Sequence, residues 1–82
     1  MTINKAVAIR TSKLLLEKGL TCYKLTKKTG LHEPTIENIM AERQEDVRLS
    51  TIYKLAFGFD MIFIEFLKTK DFFYVDLIKD LN

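Results

Sequence analysis

Residues 21–40, TCYKLTKKTGLHEPTIENIM, constrain this chain more than any other stretch. They read as two short helices joined by a tight turn at Gly30. A glycine at such a junction permits positive φ, so one helix can stop and the next leave at a steep angle. Leu25, Leu31, Ile36 and Ile39 are the apolar positions that hold the pair together. Thr21 is placed to cap the first helix of the pair, residues 22–29. Proline disfavours helical backbone in the residue before it, yet suits the first position of a helix. The second helix is therefore expected to begin at Pro34, with His32 and Glu33 around its cap.

Two helices at this spacing form a helix-turn-helix, whose second helix can enter the DNA major groove. The flanking chain supplies further helices. Residues 4–18 read as a first helix, with Asn4 as cap and Val7, Thr11 and Leu14 along one face. Gly19 ends it. After a loop at residues 41–48, Ser50 is expected to cap a fourth helix with Ile52, Leu55, Ala56 and Phe59 turned inward. Asp60 marks a turn. A fifth helix, about residues 62–67, is apolar apart from Glu65. The tail DFFYVDLIKDLN reads two ways. Asp71 can cap a last helix with Tyr74, Leu77, Ile78 and Leu81 on one face, or residues 72–75 can form a short strand. Local periodicity does not choose between them.

Taken together, Gly19-Leu20-Thr21, Leu25, Gly30-Leu31, Thr35-Ile36, Asn38-Ile39, Leu49-Ser50-Thr51-Ile52, Leu55-Ala56 and Glu65-Phe66-Leu67 resemble the phage-repressor-like (Cro/XRE) helix-turn-helix family. The resemblance spans residues 4–67. It implies an all-α, five-helix lambda-repressor-like DNA-binding domain over residues 1–67. Residues 68–82 would then be an extra apolar tail, for dimerisation or for capping the domain.

Composition agrees with one small domain. Of 82 residues, 48% are apolar, enough for a core without disulfides, and a single Cys allows no intrachain bridge. The opening MTINKAVAIRTSK carries no long apolar run, and no stretch approaches the length of a membrane span. A cytoplasmic protein with no membrane association is expected. Net charge is +2, unevenly spread: residues 1–59 hold ten Lys/Arg against six Asp/Glu, and residues 60–82 hold three against five. A basic half facing DNA and a distal half with another task fit that asymmetry.

The resemblance places base reading at the start of the third helix, on Glu33, Pro34, Thr35, Glu37 and Asn38. Asn pairs with adenine, Thr meets a thymine methyl and Glu accepts from cytosine N4, each good contact discriminating by about 1–3 kcal/mol. Backbone contacts are expected from Thr21 and Cys22 at the second helix's N-terminus, and from Arg10, Lys27, Lys28, Arg43 and Arg48. Lysines of the second helix otherwise serve as solvated surface.

Several residues depart from the family. Cys22 stands where many members carry a DNA-bracing Gln, and it reads as a packing residue. Glu33, Glu37 and Glu42 bring negative charge to the side that meets phosphate. Glu42 also occupies a position where many members have Gly. Leu15 and Met40 replace a common interhelical Arg–Glu pair. Such an exchange is often neutral, or stabilising by about 1–4 kcal/mol, and it predicts that the two side chains meet. Thr26 stands where the family prefers Ala, and its hydroxyl can bond back to the helix.

A single helix-turn-helix covers one half-site, so a homodimer on a two-fold site in double-stranded DNA is expected. The C-terminal third has more large apolar residues than so small a core can bury. Ile62, Phe63, Phe66, Phe72, Phe73, Tyr74, Leu77 and Ile78 are the expected dimer contacts, unless the tail folds over its own domain. The leading reading is a sequence-specific DNA-binding regulator, a repressor. The competing one is a protein-interaction or antitoxin-like module that meets a partner protein through the same fold. His32 and Cys22 lie ten positions apart and make no metal site. No nucleophile–base set or phosphate-cradling loop is visible, so neither an enzyme nor a cofactor is expected.

Overall fold

The computed structural model describes residues 2–44 and 46–73. Among them lie six helices: α1 (Ile3–Lys18), α2 (Cys22–Thr29), α3 (Glu33–Met40), α4 (Leu49–Gly58), α5 (Phe63–Leu67) and α6 (Lys70–Phe73). No strand occurs among the described residues. Helix α1 packs on α3 and α6, α2 on α3 and α4, and α4 on α5. Residues 74–82, which carry most of the expected tail, lie outside the described residues.

Helix boundaries follow from capping chemistry, with three departures from expectation. Thr2, not Asn4, caps α1: its hydroxyl accepts from the Lys5 N–H at 3.2 Å. Asn4 sits in the first turn and holds the loop after α3. Its amide donates to the Gln44 carbonyl at 2.8 Å and its side-chain oxygen accepts from the Val47 N–H at 3.2 Å. Helix α3 includes Glu33. Pro34 lies in the first turn, where its missing N–H leaves no gap, and the N–H groups of Thr35 and Ile36 both reach the His32 carbonyl. Arg48 rather than Ser50 occupies the cap of α4, with no side-chain cap bond.

Other expectations hold. Thr21 caps α2 by accepting from the Lys24 N–H at 3.1 Å. Gly30 ends α2 at φ 77, a left-handed conformation that turns the chain into α3. Thr26 donates back to the Tyr23 carbonyl.

The core is one cluster to which α1 through α5 contribute. Val7, Leu14, Leu25, Ile36, Ile39, Leu55, Phe59 and Phe66 are buried at its centre. Each such side chain is worth about 1.5–3 kcal/mol relative to exposure. Phe66 was expected at a dimer contact, and the structure corrects this. Its ring stacks on Phe59 at 6.5 Å and tilts against Phe72 at 6.2 Å, which places it inside the domain. Phe72 is half-buried against the same cluster. Helix α6 is thereby tied to the domain, and Asp71, inside α6 rather than capping it, pairs with Lys13 at 3.3 Å.

Helices α2 and α4 approach closely at Gly58. A Cβ there would lie 2.4 Å from Thr29 Cγ2 and 3.0 Å from Leu25 Cδ1. Lys28 closes the far end of that contact through a 2.9 Å bond to Asp60. The hydrogen bond and charge of Lys28 hold the Asp60 carboxyl below its ordinary range.

Candidate nucleic-acid interface

The α2–Gly30–α3 unit presents α3 on the surface. Ile36 and Ile39 anchor it to the core, while Glu33, Pro34 and Glu37 point to solvent. Thr35 and Asn38 are half-buried. The expected base-reading residues are thus together on one short helix, with Glu33 and Glu37 a turn apart on its outer side. His32 is exposed at the helix start.

Around α3 the expected backbone contacts divide into two groups. Thr21, Lys27, Arg43 and Arg48 are exposed. Lys27 lies over the Tyr23 ring at 5.2 Å. Arg48 shares a recess of about 590 Å³ with Thr35, Gln44, Asp46 and Thr51, between the start of α3 and the start of α4. Gln44, Asp46 and Thr51 were not singled out by sequence. The only signal for them was their place beside Arg48 in the loop and the next helix.

Arg10 and Lys28 are placed differently. The Arg10 guanidinium donates to the carbonyls of Phe66 at 2.9 Å and Glu65 at 3.0 Å, and lies 5.9 Å over the Phe66 ring. It caps the end of α5, where carbonyls lack helical partners. Lys28 forms a neutral pair with Asp60. Neither brings a free positive charge to α3.

Cys22 is half-buried, and its thiol points to the Met40 sulfur at 3.9 Å. Burial first, then the charges of Glu37 and Glu33, pushes the thiol up from its ordinary range. The thiol packs against Met40 at the start of α2. Leu15 and Met40 line one apolar depression, Leu15 within the core cluster and Met40 packed against that cluster.

Sequence reasoning named Ile62 and Phe63 but missed the α4 side of an exposed apolar ridge. Leu49, Tyr53 and Phe57 recur every four residues along α4, and all three are exposed. The Tyr53 ring stacks on Phe63 of α5 at 4.1 Å, and Ile62 and Ile64 flank Phe63, also exposed. The fourfold spacing was a readable signal. Of the other expected dimer residues, Phe73 ends α6, and Tyr74, Leu77 and Ile78 lie outside the described residues. Among the described residues, no helix is long and apolar enough to cross a membrane.

Neither the curated proteins nor the solved structures offer a match to this chain. A family model described as the Cro/C1-type HTH DNA-binding domain matches residues 10–71, most of the chain and all of the α2–α3 unit. The chain therefore belongs to the Cro/C1-type helix-turn-helix family of DNA-binding domains.

Proposed function

We propose that the protein is a sequence-specific, homodimeric transcriptional regulator of the cytoplasm that represses by occupying a two-fold operator. The observation that carries this reading is the α2–Gly30–α3 unit. Two core-anchored isoleucines hold α3 so that Glu33, Pro34 and Glu37 stand in solvent, with Thr35 and Asn38 at its flanks. Arg43, Arg48 and Lys27 supply phosphate contacts around it, with Thr21 and Cys22 at the N-terminus of α2. Occupancy alone blocks transcription, and no covalent step is required.

Pairing uses the ridge of Leu49, Tyr53, Phe57, Ile62, Phe63 and Ile64. Phe57 is 73% exposed and Ile64 68% exposed. With their neighbours they offer on the order of 600 Å² of apolar surface per copy, against about 800 Å² per partner in an interface of standard size. That is enough for the centre of a self-complementary contact.

One observation favours a second reading. Glu33 and Glu37 are exposed on α3 with no cation paired to either among the described residues. An acidic face of this kind suits a basic partner protein, as in an antitoxin-like module. Selection of duplexes from a random DNA pool at near-physiological salt separates the two. The regulator reading requires an enriched two-fold site, its half-sites about one helical turn apart. Uniform, weak, salt-sensitive binding favours the partner protein.

A further inference from the structure

Helix α1 sends a polar side chain across to the loop that follows α3. Asn4 lies on the same stripe of α1 as Val7 and Ala8, which are buried. Thr2 supplies the cap of the helix, and Asn4 reaches the loop instead. Its amide stands between two backbone groups, donating to the Gln44 carbonyl at 2.8 Å and accepting from the Val47 N–H at 3.2 Å. We propose that Asn4 is a positioning residue for DNA binding. By clasping the loop it holds Arg43 and Arg48, the residues on either side of the clasped pair, where they meet phosphate.

This role rests on the regulator reading, in which both arginines contact the DNA backbone. Both are exposed, with no carboxylate paired to either among the described residues. Each is tied through its backbone to a helix end. The Arg43 N–H donates to the Asn38 carbonyl at 2.9 Å, and the Arg48 carbonyl accepts from the N–H groups of Thr51 and Ile52 at 3.0 and 3.1 Å. Residues 43, 44 and 46–48 belong to no helix. Backbone without a helical ladder keeps its place through tertiary contacts. Asn4 supplies two of these, one before Asp46 and one after it, and Val47 adds another by packing against the core cluster.

The same clasp steadies one side of the recess at the start of α3. Gln44, Asp46 and Arg48 line it from the loop, together with Thr35 of α3 and Thr51 of α4. A primary amide suits the task because it carries donor and acceptor on one rigid plane. Aspartate in its place loses the donor, and alanine loses both. A loop fixed in advance lowers the ordering cost that DNA binding otherwise carries for two rotamer-rich arginines on each copy.

A double-mutant cycle on the full-length protein tests this, read by fluorescence anisotropy on the selected duplex at low salt, where weakened variants still bind. Asn4 is half-buried and outside the core cluster, so Asn4→Ala leaves the core intact. It should raise Kd about tenfold through lost preorganisation. In a protein carrying Arg43→Gln and Arg48→Gln, the same substitution should change Kd by less than about twofold, since nothing is left to position. Thr2→Ala weakens the same end of α1 without touching the loop, and it should leave Kd within about twofold. Hydrogen exchange reads the clasp itself: in Asn4→Ala the Val47 amide should lose about tenfold in protection. The proposal is overturned by an unchanged Kd in Asn4→Ala, by an equal loss in the doubly substituted background, or by an equal loss in Thr2→Ala. Unchanged protection of Val47 also overturns it. Failure of the wild-type protein to select any duplex overturns the regulator reading instead, and the role of Asn4 falls with it.

Discussion

Glu42 shows how one residue both serves and opposes this fold. It adopts φ 58 just after α3, a left-handed conformation that costs an L-residue roughly 1–2 kcal/mol and glycine far less. The resemblance flagged this position, because many relatives carry glycine there, and the backbone shows why. Glu42→Gly should raise stability by about 0.5–1 kcal/mol, the relief of strain partly offset by the greater freedom of the unfolded chain. It also removes a negative charge next to Arg43, so affinity for a selected duplex should rise as well. Urea unfolding and a DNA titration check both, and a lower urea midpoint would refute the strain argument. Caps were less legible at this scale. Thr2 and Asn4 are equally good capping types two positions apart, and a sequence gives no local reason to choose. What decided it is long-range: Asn4 is drawn to Gln44 and Val47, forty residues away. Arg10 was misplaced for a similar reason, because its acceptors lie on a helix more than fifty positions downstream.

Helices were legible because their punctuation is local. Gly19 and Gly30 closed α1 and α2 where expected, the starts of α1 and α3 moved by a single residue and that of α4 by two. How helices pack was less legible, and Gly58 is the sharpest example. Nothing in its neighbours distinguishes it from a glycine that merely ends a helix. In the fold it is buried and lets α4 approach Thr29 and Leu25 of α2. Gly58→Ala should cost about 1–3 kcal/mol through overpacking. Thr29→Ser removes the Cγ2 atom that the new methyl would strike. A double-mutant cycle in urea should therefore show favourable coupling of about 1 kcal/mol or more between the two substitutions. Additive effects would place the strain elsewhere. Helix α5 misled for the opposite reason. An almost wholly apolar short helix offers no polar face from which to tell inside from outside. Phe66 turned inward to Phe59, while Ile62 and Ile64 stayed on the surface.

Across the whole molecule, the placement of charge sets how DNA binding must depend on salt. Five cations were expected at phosphates. Arg10 is spent on the end of α5 and Lys28 is neutralised by Asp60, which leaves Lys27, Arg43 and Arg48 on each copy. A dimer then neutralises about six phosphates, so log K should fall against log salt with a slope near −5, where all five cations on each copy would give about −9. Glu33 and Glu37, on the same side, push the slope no steeper. Arg43→Gln should flatten the slope by about 2 per dimer, because two phosphate contacts are lost. Arg10→Gln should leave it unchanged while lowering thermal stability, since its work is done on carbonyls inside the domain. Fluorescence anisotropy on the selected duplex over a salt series measures both variants. A slope near −9, or one that Arg10→Gln flattens, would mean that Arg10 lets go of Phe66 when DNA arrives. Affinity that rests on few phosphates must come from base edges instead. On the regulator reading proposed above, the acidic face of α3 would supply that discrimination, its carboxylates accepting from cytosine N4 donors.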